Sequence, residues 1–188
     1  YTPLHGVGQE WVEQAFERFG LKAPIVVEEQ AVPDPEFPTV QFPNPEEGQG
    51  VWDLAVYYAE QTGAPLCIAN DPDADRLALC ERQADGSWRS FSGNEIGALL
   101  GAWMLEHNEP SEEMYFLAST VSSKLLKSMA ESEGFCFAET LTGFKWLGNK
   151  ALELQEQGLR VPFAFEEAIG FSFGDVGNDK DGVAGACV

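Results

Sequence analysis

The chain has 188 residues, of which 31 are Asp or Glu and 11 are Lys or Arg, so its formal net charge is −20. This acidic excess argues against nucleic acid or an anionic membrane as a partner, and no apolar run approaches the length of a membrane span. A hydrophobic content of 44% and an aromatic content of 12% are typical of a globular protein and exclude a disordered one. The chain does not begin with Met and its start has no signal-peptide pattern, so we expect a piece of a longer polypeptide.

Helical and strand patterns alternate in the first half of the chain. Residues 10–19 place apolar side chains, among them Trp11, Val12 and Phe19, on one face of a helix that ends at Gly20. Further along, the patterns predict strands at 25–27, 66–69, 77–81 and 88–91 and a helix at 51–61. Asp85-Gly86 predicts a hairpin turn between the last two strands. The segment between 33 and 45 holds five prolines and is predicted to be irregular.

The second half repeats this alternation. The patterns predict helices at 95–106, 122–133 and 144–157 and strands at 114–118, 135–138 and 161–165. Strands separated by helices imply crossover connections and a largely parallel or mixed sheet that is covered on both faces. We therefore predict an α/β fold of two similar three-layer α/β/α modules with mixed sheets. A break near Ser92-Gly93-Asn94 divides them into domains 1–92 and 93–188.

Cysteine usage gives an expectation about the cellular compartment. Cys67, Cys80, Cys136 and Cys187 lie far apart, and none of them forms a CxxC pair. At least the first three fall in apolar, strand-like runs. This pattern predicts buried, reduced thiols in a cytoplasmic protein.

Three aspartates at alternate positions follow a predicted strand. Asp71, Asp73 and Asp75 lie in Asn-Asp-Pro-Asp-Ala-Asp-Arg. Two unit charges about 4 Å apart repel by roughly 4 kcal/mol at an effective dielectric near 20, so clustered carboxylates favour a bound cation. Their hard oxygens suit Mg²⁺ or Ca²⁺ rather than zinc or copper. An EF-hand is excluded because its required Gly and Glu positions hold Arg76 and Arg82 here; a solvated acidic turn remains the alternative.

Polar residues also follow a strand predicted in the second half of the chain. Thr142, Gly143 and Lys145 come directly after the strand that ends at 138, where loops commonly carry binding residues. The alternative is purely structural. In that interpretation Thr142 caps the next helix, and Phe144 and Trp146 pack against the fold.

Two acidic residues and a lysine complete the candidates. Glu166 and Glu167 follow the strand at 161–165, and carboxylates accept hydrogen bonds from vicinal hydroxyl groups of a polyol. Taken singly, such residues more often form a solvated strand end. Lys180 lies in Asp-Lys-Asp-Gly at 179–182, which by itself indicates only a turn.

In combination, these segments resemble the α-D-phosphohexomutase superfamily. They are, in order, Asp-Pro-Asp-Ala-Asp-Arg at 71–76, Thr-Gly-Phe-Lys-Trp at 142–146, Phe-Glu-Glu-Ala-Ile-Gly-Phe at 165–171 and Lys-Asp-Gly at 180–182. Leu-His-Gly-Val-Gly at 4–8 and the proline-rich segments at 33–39 and 43–46 fit as well. The resemblance covers essentially the whole chain and points to the phosphoglucomutase/phosphopentomutase branch that includes the glucose-1,6-bisphosphate synthases.

The resemblance implies the second and third domains of a four-domain enzyme, with domains I and IV outside this chain. Such enzymes move a phosphoryl group between two positions of a hexose or pentose phosphate through a phosphoserine and a bisphosphate. By similarity, Mg²⁺ would be held by Asp71, Asp73 and Asp75, and Arg76 and Lys180 would be the catalytic cations. The substrate-binding residues implied are Thr142, Gly143, Lys145, Glu166 and Glu167.

The chain departs from that pattern in places. Many mutases have Gly where Pro72 stands and Ser where Ala168 stands, and no serine loop or phosphate-binding domain is present in this sequence. Alone, the chain is therefore expected to bind metal weakly and to catalyse nothing. Two alternatives stay open. One is a haloacid-dehalogenase-like phosphatase with the first Asp as nucleophile, which Arg76 fits poorly, and the other is a non-catalytic sugar-phosphate-binding module.

Overall fold

A computed structural model describes residues 1–47, 50–174 and 177–188. The chain forms two compact units. The first consists of residues 1–92 together with 182–187, and the second of residues 93–181 with Val188. The last helix of the chain therefore belongs to the first unit.

Helices and strands alternate along most of the chain, as the sequence predicts. In chain order the elements are α1 (Gly8–Phe19), α2 (Glu28–Ala31), α3 (Asp53–Thr62), β1 (Leu66–Ala69), β2 (Ala78–Arg82), β3 (Trp88–Ser90), α4 (Gly93–Glu106), β4 (Met114–Ser119), α5 (Leu125–Glu133), β5 (Cys136–Thr140), α6 (Phe144–Glu156), β6 (Arg160–Glu166), β7 (Gly170–Phe173) and α7 (Gly182–Cys187).

The sheet of the first unit has the order β1-β2-β3, and its strands are antiparallel. The predicted hairpin turn between β2 and β3 is confirmed: Gln83 N–H donates to the Ser87 carbonyl at 2.8 Å, and Gly86 has a φ of 88°. A single parallel bridge joins Thr2 to Ala69. The prediction of a strand at 25–27 is wrong. Val27 N–H donates to the Tyr1 carbonyl at 2.9 Å, but the segment lacks the series of backbone pairs that defines a strand.

Packing of α1 differs from the amphipathic face that the sequence predicts. Val12 and Phe16 are buried, and they pack with residues of α7, a helix that the sequence patterns do not predict. Trp11 and Phe19 are instead 57% and 69% exposed. Spacing alone places these side chains near the buried face, whereas the neighbouring elements decide which of them find a partner.

The second unit is built on a four-stranded sheet of order β5-β4-β6-β7. The first three strands are parallel, and β7 pairs antiparallel with β6, so this sheet is mixed. The sequence patterns did not predict strand β7. The core of the second unit is aromatic, with Phe116, Phe163, Phe165 and Phe171 each at most 1% exposed. The predicted α/β class is confirmed.

The structure also bears on two expectations from the sequence, the absence of a membrane span and the burial of the cysteines. Among the described residues, no helix has both the length and the apolar character that crossing a membrane requires. Cys67, Cys80 and Cys136 are free thiols; Cys67 and Cys80 are buried, and Cys136 and Cys187 are half-buried.

Candidate functional site

The loop between β1 and β2, residues 70–76 (the aspartate loop), brings its three carboxylates together. One oxygen from each of Asp71, Asp73 and Asp75 lies within 4.8 Å of the other two. Asp71 is largely buried at 9% exposure, and Asp73 is exposed. The convergence predicted from the alternate spacing is therefore present in the fold.

Hydrogen bonds within the aspartate loop fix its shape. Asn70 is fully buried, and its Nδ2 donates to the carbonyl oxygen of Arg76 at 2.5 Å. Arg76 N–H in turn donates to Asp71 Oδ1 at 3.0 Å, and Ala74 N–H donates to the Asp71 carbonyl at 2.9 Å. Ala74 has a φ of 60°, a left-handed conformation that is uncommon outside glycine and lets the chain turn back toward β2.

Two glycines from distant parts of the sequence pack against this loop. A Cβ on Gly6 would lie 2.2 Å from the Cα of Pro72, and one on Gly182 would lie 2.2 Å from the Arg76 carbonyl oxygen. Gly182 N–H also donates to the Ala74 carbonyl at 3.2 Å. In the sequence both glycines occur only as parts of family-like segments, and no local pattern indicates that they support the aspartate loop.

Electrostatics make the aspartate loop unfavourable for three bare negative charges. Burial raises the pKa of Asp71 to about 6, and the neighbouring charges of Asp73 and Asp75 add to the rise, against the opposing hydrogen bond from Arg76 N–H. Arg76 offers partial compensation, since its Nε lies 3.6 Å from Asp71 Oδ2 and 3.9 Å from Asp75 Oδ1. That Nε is buried and has no hydrogen-bond partner among the described residues. A set of three hard oxygen donors fits a divalent cation such as Mg²⁺ or Ca²⁺.

In the second unit, Glu166 and Lys180 meet around Gly170. Glu166 is the last residue of β6 and is 7% exposed, and the Lys180 side chain is 16% exposed. A Cβ on Gly170 would lie 2.5 Å from Lys180 Cδ and 3.1 Å from Glu166 Cγ, so both side chains border the bare face of this glycine. Lys180 Nζ also lies 5.6 Å from the centre of the Phe144 ring, at the start of α6. Lys180 is therefore packed within the second unit rather than being an exposed turn lysine.

The residues that precede and begin α6 are more open. Thr142 and Lys145 are exposed, and Gly143 occupies the N-cap position with a φ of 104°. Within the described residues no side chain caps this helix, so the interpretation of Thr142 as a helix cap is wrong. Phe144 is buried as expected for a packing residue, but Trp146 is 47% exposed.

Glu167 makes contacts that the sequence did not indicate. Its Oε2 accepts hydrogen bonds from Ser119 Oγ and Ser122 Oγ, each at 2.9 Å. Ser119 ends β4, and Ser122 lies in the turn that follows, where the sequence predicted the start of a helix that begins at Leu125 instead. The sequence feature that could have indicated the two serines is their position at the end of a strand, where the other candidate residues also lie.

Two known protein-family models together match nearly the whole chain. Residues 1–86 match the model described as phosphoglucomutase/phosphomannomutase, alpha/beta/alpha domain II. Residues 92–188 match the corresponding model for alpha/beta/alpha domain III.

Several curated proteins are similar along the full chain. It is 54% identical to a phosphopentomutase of Homo sapiens and 51% identical to a glucose 1,6-bisphosphate synthase of Homo sapiens, covering 100% of this chain in both cases. A phosphoribomutase of Saccharomyces cerevisiae is 44% identical, again over 100% of this chain. The chain spans about a third of the length of these relatives, at 32%, 31% and 32% respectively.

Solved structures support the same fold. A phosphoglucomutase/phosphomannomutase family protein from Burkholderia thailandensis superimposes with a TM-score of 0.77 at 21% identity, covering 99% of this chain and 37% of that one. At this identity the likeness bears on the fold alone. With the two family models matching residues 1–86 and 92–188, the chain belongs to the phosphoglucomutase/phosphomannomutase family and carries its second and third α/β/α domains.

Proposed function

We propose that the full-length gene product containing this chain is an Mg²⁺-dependent phosphosugar mutase, an isomerase that moves a phosphoryl group between two positions of a hexose or pentose phosphate. The observation that carries this proposal is the convergence of Asp71, Asp73 and Asp75 within 4.8 Å in a chain of this family. The relatives named phosphopentomutase, phosphoribomutase and glucose 1,6-bisphosphate synthase support phosphosugars as the substrate class.

In this proposal the aspartate loop holds Mg²⁺ through Asp71, Asp73 and Asp75. When bound, the ion neutralises charge on the transferring phosphoryl group, which is the main requirement of phosphoryl transfer. Arg76 is already held between two of the carboxylates, at 3.6 Å and 3.9 Å from its Nε. With the carboxylates engaged by the cation, its guanidinium supplies a second positive charge for the phosphate oxygens.

The second unit supplies the sugar contacts. Glu166, buried at the end of β6, accepts hydrogen bonds from sugar hydroxyls, which a carboxylate does in bidentate fashion. Lys180 is oriented by Gly170 and the Phe144 ring and stabilises the developing charge or donates a proton. Thr142, Gly143 and Lys145, at the open start of α6, contact the substrate.

The remaining parts of the reaction are assigned to polypeptide beyond this chain. The chain spans only about a third of its relatives' length, at 32% for the human phosphopentomutase. We place the phosphorylated serine in a domain I and the recognition of the substrate phosphate in a domain IV of the same polypeptide. The free thiols of Cys67 and Cys80, which are direct cross-strand partners in β1 and β2, support a reducing compartment such as the cytoplasm.

The test is a mutase assay of the full-length gene product. Glucose 1-phosphate and ribose 1-phosphate are each supplied with the matching bisphosphate, in Mg²⁺ and in excess EDTA. We expect activity only with Mg²⁺ and a loss of about 100-fold or more in kcat for Asp73→Asn. Asp85→Asn, in the exposed hairpin turn of the same unit, is the matched control and keeps wild-type activity. Full activity of Asp73→Asn, or no turnover of any phosphosugar by the wild type, would contradict the proposal.

A further inference from the structure

Ser119, Ser122 and Glu167 (the serine clasp) form a compact hydrogen-bonded group at the end of β6. Both serine hydroxyls donate to Glu167 Oε2 at 2.9 Å, and the two hydroxyl oxygens are 2.7 Å apart. Ser122 Oγ also accepts the backbone N–H of Glu167 at 3.0 Å. Glu167 is thus held at both its backbone and its side chain by one neighbouring residue.

The two serines of the clasp are buried at the end of the adjacent strand β4 and in the turn that follows it. Ser119 is fully buried and Ser122 is 4% exposed, so their hydroxyls are shielded from solvent. Because β4 pairs in parallel with β6, with Ala118 opposite Phe165, Ser119 lies beside the end of β6. Gly93 also lets the start of α4 approach this turn so closely that a Cβ there would lie 1.9 Å from the Glu167 carbonyl oxygen.

The turn that the clasp holds has an unfavourable backbone. Glu166 pairs with Gly170, so residues 167–169 form a three-residue connection between β6 and β7. Turns of this kind end in a left-handed residue, which is usually glycine, but here that residue is Ile169 with a φ of 53°. A β-branched side chain at positive φ is strained and persists only where the surroundings impose it.

We propose that Glu167 is a positioning residue: the serine clasp fixes the strained β6–β7 turn and thereby aims the Glu166 carboxylate at the sugar. This inference rests on the proposed function, in which Glu166 binds the sugar, and it removes Glu167 from the set of direct sugar ligands. Glu166 is the residue next to Glu167 and the last one paired in β6. A turn that relaxes at Ile169 would therefore rotate Glu166 before any other candidate residue.

The chemistry of the clasp gives a test that separates positioning from direct binding. Both serines donate to a single oxygen of Glu167, and a glutamine side chain offers an oxygen in the same place. Glu167→Gln therefore preserves the clasp, whereas Glu167→Ala and the double variant Ser119→Ala with Ser122→Ala remove it. A carboxylate that bound the sugar directly would lose its function in the Gln variant as well.

The experiment uses the full-length gene product and two readouts. For kinetics, we expect kcat/KM to fall by about 10- to 100-fold in Glu167→Ala and in the double serine variant, and Glu167→Gln to stay close to wild type. For structure, we expect hydrogen exchange of the Glu167 backbone amide to speed up by about tenfold in Glu167→Ala and in the double serine variant, but not in Glu167→Gln. Ser132→Ala, at the exposed end of α5, is the matched control and changes neither readout.

Two results would overturn the inference. One is a Glu167→Gln variant that is as impaired as Glu167→Ala while its amide exchange matches wild type, since that makes the charge itself the functional group. The other is unchanged exchange and kinetics in the double serine variant. Should Glu167→Ala fail to fold, Ser122→Ala alone gives the same pair of readouts. Because amide exchange needs no turnover, absence of mutase activity in the wild type would refute the proposed function and leave the clasp measurable.

Discussion

Asn70 Nδ2 donates a hydrogen bond to the carbonyl oxygen of Arg76 at 2.5 Å, so the first and last residues of the aspartate loop are joined directly. Asn70 is fully buried, and its Oδ1 accepts the hydroxyl hydrogen of Tyr1 at 3.0 Å, which uses the other end of the amide. The shape of the loop, and with it the convergence of the three carboxylates, is therefore set by the protein scaffold.

The first prediction concerns this closure. Asn70→Ala leaves the Arg76 carbonyl unpaired and should lower the free energy of unfolding by about 1–3 kcal/mol. The affinity for Mg²⁺ should fall too, because the carboxylates are no longer held together. Urea unfolding and titration calorimetry of the full-length protein measure the two effects. Asn149→Ala is the control, since its amide also donates to a backbone carbonyl, at 2.6 Å, but on the exposed face of α6. Equal losses in both variants would refute the special role of Asn70.

The second prediction concerns the close approach of α7 to the aspartate loop. Gly182→Ala puts a Cβ 2.2 Å from the Arg76 carbonyl oxygen and 2.5 Å from Asn70 Nδ2, so the backbone must move. We expect the free energy of unfolding to fall by about 1–3 kcal/mol, with a weaker affinity for Mg²⁺. Gly177→Ala is the control, because no described atom lies within 4 Å of its Cβ position. A Gly182→Ala protein with unchanged stability and metal affinity would contradict this account of the packing.

The third prediction is a pH dependence in the absence of divalent ions. The pKa of Asp71 rises from 3.8 to about 6 on folding, chiefly through burial, so the folded state binds this proton more tightly than the unfolded state. The resulting stabilisation is fully present below pH 3.8, is lost as the pH rises through about 6, and does not return above it. Relative to wild type, Asp71→Asn should therefore gain about 2–3 kcal/mol of unfolding free energy between pH 4 and pH 7 in EDTA.

Adding Mg²⁺ tests the predicted direction of this change in unfolding free energy with pH. At pH 7 Mg²⁺ should stabilise the wild type and leave Asp71→Asn much less affected, because the ion, like the proton at low pH, compensates the buried negative charge of Asp71. Urea unfolding at both pH values, with and without Mg²⁺, gives the comparison. A wild-type advantage that grows with pH in EDTA would be opposite in sign and would refute the raised pKa.

The fourth prediction concerns Lys180. In the full-length protein, Lys180→Ala should lower kcat by about 100-fold or more and raise KM much less, because its charge matters most as the phosphoryl group leaves. Steady-state kinetics measure the split. Lys150→Ala is the control, since that lysine pairs with Glu153 at 2.9 Å on the exposed side of α6. A raised KM with unchanged kcat would make Lys180 a substrate anchor, and wild-type kinetics would make it a structural lysine.

Local patterns in the amino-acid sequence were enough to predict several features of the fold and the site. Alternate carboxylates after an apolar run predicted both the end of β1 and the convergence of Asp71, Asp73 and Asp75, because neighbours in a tight loop cannot lie far apart. Alternating helical and strand periodicity was enough for the α/β class. The Asp85-Gly86 turn followed from the backbone preference of glycine alone.

Tertiary structure alone decided the features that depend on contacts between distant residues. β7 and α7 are short and have weak patterns of their own, so their stability comes from pairing with β6 and from packing against α1. Glu167 looks like a solvated acid in the sequence, and only the parallel pairing of β4 with β6 brings Ser119 to it across 48 positions. Spacing along the chain encodes which residues share a turn or a face. Which of them become buried and paired depends on what the rest of the chain brings beside them.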